Sequence, residues 1–248
     1  MKKILYFDCF SGISGDMAVG ALLDLGIDEG SFLSELEKLN LDGYQIRIRR
    51  SVKKGITGTD FEVFLEEGDH HHVHRNLYDI EQIFDSSGLK DDVKAMSKKI
   101  FRAVAEAEAK VHGKPIEEVH FHEVGAVDSI IDIAGFSICM DLLGVEEVHS
   151  SPLHVGYGFV ECAHGQIPVP APAVLEILRG VPIYSAGVRG ELVTPTGAAI
   201  VKALSQSYGE IPLMEIQKIG YGLGKRDFEI PNVFRVYLAE KKSLKISS

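Results

Sequence analysis

Apolar residues from Ile4 to Phe7 form a short run closed by Asp8. The Ser11-Gly12-Ile13-Ser14-Gly15-Asp16 stretch then leads into an apolar segment from Met17 to Leu23 that ends at Gly26. The pattern predicts strand, glycine-rich turn and helix. Two segments of period two follow. Tyr44, Ile46 and Ile48 alternate with Gln45, Arg47 and Arg49, and Phe61, Val63 and Leu65 alternate with Glu62, Phe64 and Glu66. Such alternation predicts antiparallel strands, here joined by the Gly55 to Gly58 loop.

The middle third changes to helical spacing. One helix starts near Asn76, a suitable N-cap, and stops near Gly88. A second carries Val93, Met96, Ile100, Val104 and Ala107 from Asp91 to the Gly113-Lys114-Pro115 break. A third, about Ser129 to Leu143, is apolar nearly all round and is expected to be buried. Past Gly144 the pattern predicts short strands with turns at Gly156-Tyr157-Gly158 and His164-Gly165. A helix follows Pro172 and ends near Gly180, and another follows Thr194-Pro195-Thr196-Gly197, where Thr caps and Pro suits the first turn. Final strands are predicted at Met214 to Ile219 and Phe234 to Leu238. There is no internal repeat, and strands and helices mix without a strict βαβ rhythm. The expected class is therefore α/β, in the mixed α+β sense: a two-lobed mixed sheet with packed helices. One lobe would comprise about residues 1–68 with 145–240 and the other a helical middle at 75–144. Residues 241–248 read as a tail or linker.

Composition narrows the function classes. At 248 residues the chain holds between one and two units of roughly 150 residues. Its 45% hydrophobic and 25% charged residues are those of a globular protein. No apolar run reaches the ~18 residues of a membrane helix. The N-terminus is too short for a secretory signal, so the cytoplasm is expected. With 26 basic against 36 acidic residues the formal charge is −10, which argues against DNA or RNA as partner. The three cysteines, Cys9, Cys139 and Cys162, are far apart and lack CxxC spacing, as expected of reduced thiols.

Four groups of residues carry candidate chemistry. His70, His71, His72 and His74 follow Glu66, Glu67 and Asp69; clustered imidazoles suit divalent nickel, zinc or copper, although such a run also suits a solvated polar loop. In the segment from His120 to Asp128, an extended His120-Phe121-His122 would point both imidazoles to one side. Glu123 and Asp128 there are candidate ligand, base or supporting partner. The alternative is a hydrogen-bonded core histidine with Glu123 as a helix cap. Candidate anion sites are Ser11, Gly12, Ser14 and Gly15 at one helix start and Thr194, Thr196 and Gly197 at another. The Gly220 to Asp227 segment adds Lys225 and Arg226. Asp8 and Asp16 flank the first loop as candidate cation ligands, Asp16 more naturally as a helix cap. Near a proline-rich turn that also supplies His154, Cys162 with His164 suggests a nucleophile and base, against the commoner buried thiol.

Together these residues resemble a known family. The motifs from Asp8 to Met17, His70 to His74, His120 to Ser129, His164 to Pro172 and Glu191 to Ala199 are similar, in order, to those of the LarC family of nickel-pincer nucleotide cyclometallases. The resemblance implies insertion of Ni²⁺ into pyridinium-3,5-bisthiocarboxylic acid mononucleotide, with bonds to two sulfurs and a ring carbon. The product would be the cofactor of lactate racemase-type enzymes. It also implies CTP with Mg²⁺ or Mn²⁺, bound through the protein's own C-terminal domain beyond the matched part. Residues 241–248 would lead towards that domain. Within this frame the metal candidates are His70, His71, His72, His74, His120, His122, Asp8 and Asp16, and the base for the ring proton is Glu123 or His122. Two other classes use the same inventory: a noncatalytic nickel store or chaperone, and a metal-dependent nucleotide phosphoesterase. A homo-oligomer is compatible with each.

Overall fold

The computed structural model describes residues 2–65, 75–121, 127–162 and 165–240, without the side chains of His120 and Cys162. In chain order, β1 (Lys3–Asp8) leads to α1 (Gly15–Asp24) and α2 (Glu29–Glu37), then to the hairpin of β2 (Tyr44–Lys53) and β3 (Ile56–Leu65). The middle holds β4 (Arg75–Asn76), α3 (Leu77–Ser86), α4 (Asp91–His112), β5 (His120–Phe121) and α5 (Val127–Leu143). Short strands β6 (Glu147–Ser150), β7 (Leu153–His154), β8 (Gly156–Cys162) and β9 (Gly165–Val169) precede α6 (Pro172–Ile177), β10 (Ile183–Tyr184) and β11 (Gly190–Glu191). The chain then runs through α7 (Pro195–Leu204), β12 (Ser207–Tyr208), β13 (Glu215–Leu223) and β14 (Val233–Glu240).

The main sheet has seven strands in the order β12-β6-β1-β14-β13-β3-β2. It is mixed: β1 pairs parallel with β6 and antiparallel with β14. The α/β class is thus the one expected, and the β2–β3 hairpin pairs antiparallel from Tyr44↔Leu65 to Lys53↔Ile56. Asn76 caps α3 in a capping box with Asp79, which satisfies two helix-end donors at once. Leu5, Phe7, Val236 and Leu238 share one cluster of buried side chains with Phe84, Phe101 and Phe136 of the helical middle. Among the described residues no helix is long and apolar enough to cross a membrane.

Helix α1 lies on the sheet at backbone contact. A Cβ on Gly222 would sit 1.8 Å from the carbonyl oxygen of Met17, and one on Gly220 would sit 2.0 Å from that of Ala21. These glycines, which the sequence offered as part of a flexible phosphate clamp, are strand residues that let the helix dock. The expected turn at Gly156-Tyr157-Gly158 is likewise the start of β8. Gly156 is needed there because the carbonyl of Gly190 in β11 would lie 2.0 Å from its Cβ. Helix α2 escapes the periodicity reading because it buries only Phe32 and Leu36; Asp28 starts it by accepting from the Ser31 N–H at 2.8 Å.

The α1 seam makes a stability prediction. Gly222→Ala should lower unfolding free energy by about 3 kcal/mol through overpacking, whereas Gly30→Ala inside α2, where the nearest atom is 3.5 Å away, should raise it by about 0.5–1 kcal/mol. Urea denaturation of the two variants checks this; equal effects would contradict the close-approach account.

Candidate functional site

Two loops that look independent in sequence are stitched together. Ile13, after β1, forms a parallel bridge with Val193, before α7. The Ile13 N–H donates to the Leu192 carbonyl at 2.9 Å, and the Thr194 N–H donates to the Ile13 carbonyl at 3.1 Å. Glycine is required on both sides. Gly12 has φ +76° and a Cβ there would meet the Leu192 carbonyl oxygen at 1.9 Å, while one on Gly197 would meet that of Ile13 at 2.2 Å. The stitch sets the N-termini of α1 and α7 side by side. Thr194 caps α7 by accepting from the Gly197 N–H at 3.2 Å.

Both helix starts open into one cleft of about 510 Å³, a size suited to a small organic ligand. Hydroxyls of Ser14, Ser129, Thr194 and Thr196 line it, with carboxylates from Asp16, Glu62, Asp128, Asp132 and Glu191 and cations from Lys225 and Arg226. A recess of about 160 Å³ continues beneath the two cations and includes Asn232, whose side-chain amide donates to the Arg226 carbonyl at 2.9 Å.

The acidic side is built by α1 and the first turns of α5. Asp132 packs so tightly on Gly15 that a Cβ there would lie 2.5 Å from its Oδ2. Burial, together with the nearby Asp16 and Asp128 charges, holds the Asp132 carboxyl well above the usual carboxylate range, against the pull of Lys225 and the Asp16 N–H. Burial also raises Asp16, which accepts from the Ser14 hydroxyl and, at 2.9 Å, from the Met17 N–H. Asp128 is raised by burial as well. Such a group of carboxyls holds its protons more tightly than exposed carboxylates do, and ionises when a cation arrives.

On the facing side, Lys225 is held by Asp60 and by the Phe61 carbonyl at 2.9 Å. Despite its burial Asp60 stays below the usual carboxylate range, because Lys225 and Arg49 bond to it. Arg226 lies 3.4 Å from Glu191.

Of the anion candidates read from sequence, Ser14, Gly15, Thr194, Thr196, Lys225 and Arg226 line the cleft. Ser11 and Gly12, in the loop after β1, and Gly197, in the first turn of α7, are not among its lining residues. Asp16 lines the cleft, whereas Asp8 is engaged elsewhere, accepting from Arg235 Nε at 2.9 Å and from the Tyr237 hydroxyl at 2.9 Å. His70, His71, His72, His74, His122, Glu123 and His164 lie outside the described residues, as do the side chains of His120 and Cys162. The flanks of the two His motifs nevertheless meet, since Arg75 pairs with Phe121 and Asn76 with His120. Val63 and Asp128, both on the cleft, stand three residues before one undescribed segment and two after the other. Among the described residues no three His, Cys, Asp or Glu side chains are grouped so as to hold a metal ion.

His154 has a structural role. Its Nε2 accepts from the Ala186 N–H at 2.9 Å, which leaves Nδ1 as the donor to the Phe10 carbonyl at 3.0 Å, and the ring stacks on Tyr184. Burial pushes the Cys9 thiol up to about 12 and raises Cys139 too, so neither is a ready nucleophile. Asp132 and Asp60 were missed in the sequence reading. Asp132 had a signal: it interrupts the apolar run from Ile130 to Met140, four residues after Asp128 and so on the same side of the helix.

The fold and cleft define a mixed α/β protein with a ligand site in which the buried carboxyls of Asp16, Asp128 and Asp132, at the starts of α1 and α5, face Lys225 and Arg226, and into which the start of α7 also opens. Residues 5–248 match the family described as "Nickel insertion protein", and the chain belongs to that family. It is 56% identical over 238 residues to a "Putative nickel insertion protein" of Dictyoglomus thermophilum, covering 96% of this chain and 61% of that protein. It is 54% identical to proteins of Acetivibrio thermocellus and Clostridium kluyveri, each called "Pyridinium-3,5-bisthiocarboxylic acid mononucleotide nickel insertion protein", over 97% of this chain and 61% and 63% of theirs. The chain thus spans about three fifths of the length of these relatives. No solved structure matches it.

The raised carboxyls predict a pH signature. Because the folded pKa of Asp132 lies above its unfolded value, the native state binds more protons than the unfolded chain between the two values. Stability is therefore lost as pH rises through that window. Asp132→Asn, which keeps an acceptor for the Asp16 N–H, should stabilise the protein at pH 7, with the gain vanishing below the ordinary carboxylate range. Urea titrations from pH 4 to 8 measure this; a variant less stable at pH 7 than at pH 4, relative to wild type, would contradict it.

Proposed function

We propose that this chain is the nickel-insertion portion of a protein that places Ni²⁺ into pyridinium-3,5-bisthiocarboxylic acid mononucleotide, the compound in the names of its relatives. The observation that carries the reading is the division of charge in the cleft. The compound named has a ring cation, two sulfur-bearing acid groups and a phosphate. Lys225, Arg226 and the Thr194–Thr196 helix start suit the phosphate, and Asp128 and Asp132 suit the pyridinium charge.

In this reading the metal is cargo. Imidazoles of His70, His71, His72 and His74 deliver it, and His120 and His122 hold it until the softer sulfurs take over. Glu123 or His122 accepts the ring proton as the C–H electron pair becomes the carbon–nickel bond. The pairing of the flanks of the two His-bearing segments, Arg75 with Phe121 and Asn76 with His120, supports bringing their imidazoles together. CTP with Mg²⁺ or Mn²⁺ would act through polypeptide beyond this chain, in a cytoplasmic lyase that supplies lactate racemase-type enzymes.

Recognition of the ring charge is testable with a charge-neutral substrate analogue. Asp128→Asn should weaken binding of the pyridinium mononucleotide by about tenfold, the scale of one well-placed charge pair, and leave binding of the corresponding uncharged dihydropyridine within a factor of two. An equal loss for both ligands would overturn the placement of the ring against the carboxylates.

A further inference from the structure

The cleft's two signs of charge lie close enough to cancel. Lys225 is on the segment between β13 and β14, and its charge is felt by both Asp16 and Asp132 across the cleft. A free lysine side chain there would fold onto them and remove the charge division. It is restrained from behind instead. Asp60 on β3 is only 6% exposed and offers one carboxylate oxygen to the Lys225 ammonium and the other to Arg49 Nε at 2.9 Å. The Phe61 carbonyl takes a second ammonium proton. Two of the three donors on Lys225 are thereby committed, and the third remains for the cleft that Lys225 lines.

A bond that only tied this segment to the hairpin would be redundant, because Lys53 already joins Asp227 at 2.6 Å on the surface of the same two elements. We infer that Asp60 is a positioning residue, which with Arg49 behind it seats Lys225 as the cleft's phosphate anchor and keeps it off Asp16 and Asp132. The inference rests on the mononucleotide reading for the identity of the anion, but the seat itself does not depend on that reading.

The test uses the whole chain with two readouts. Acylation of lysine amines, followed by peptide mass analysis with Lys53 as internal reference, reports how firmly Lys225 is held. Calorimetry with nicotinamide mononucleotide, a pyridinium with a phosphate and no sulfur, reports the anchor. Asp60→Asn should speed acylation of Lys225 at least threefold and weaken the mononucleotide at least fivefold, and Asp60→Glu should return both to within threefold of wild type. In a Lys225→Met background, Asp60→Asn should weaken binding by no more than a further twofold. Lys225→Arg, which keeps the charge but not the seat, should bind as poorly as Lys225→Met and covers the case in which Asp60 variants fold badly. Unchanged acylation in Asp60→Asn, or wild-type binding by Lys225→Arg where Lys225→Met binds poorly, would overturn the inference. Faster acylation with an affinity indifferent to Lys225→Met would leave the seat standing and sink the phosphate reading instead.

Discussion

The bridge between Ile13 and Val193 is the contact on which the site depends. Two hydrogen bonds and two glycines bring loops 180 residues apart in sequence into one unit. Because each loop opens a helix, the same contact aligns two helix starts. Every cleft residue on α1 and α7 takes its place from that alignment, and α5 completes it by pressing Asp132 onto Gly15. An isolated helix N-terminus is a weak anion site; that of α1 is taken up by its own Asp16 carboxyl, which accepts from the Met17 N–H, so the start of α7 together with Lys225 and Arg226 is the part of the cleft suited to an anion.

The acidic side has a different physical basis. Asp16, Asp128 and Asp132 are raised first of all by burial, so their charged forms await a cationic partner. The pyridinium ring of the mononucleotide proposed as substrate would meet that need. Separation of the two signs then becomes a structural task, which explains why a buried acid and an arginine stand behind Lys225 rather than a second phosphate-binding cation.

Much of this was legible from residues alone, for reasons of period and chemistry. The period-two hairpin, the Asn76 and Thr194 caps and the apolar α5 all declare themselves locally. So do the individual anion candidates, six of which line the cleft. What escaped were relations between distant segments. Gly12 and Gly197 look like parts of phosphate loops, yet their lack of a side chain serves the stitch; Gly220 and Gly222 look flexible and instead admit α1. Asp8 resembles a ligand until Arg235 and Tyr237 are seen beside it. Asp60 gave no signal, since an acid in an alternating strand is ordinarily a solvent-facing residue.

The central claim is that metal and mononucleotide meet in one place on this chain. Calorimetric titration of the chain with Ni²⁺, alone and with the bisthiocarboxylated pyridinium mononucleotide, addresses it most directly. The account predicts that each ligand tightens the other by the same factor, as reciprocal coupling requires. Nickel binding that is indifferent to the nucleotide, and abolished by replacing only His70, His71, His72 and His74, would contradict it and make the chain a metal-delivery module.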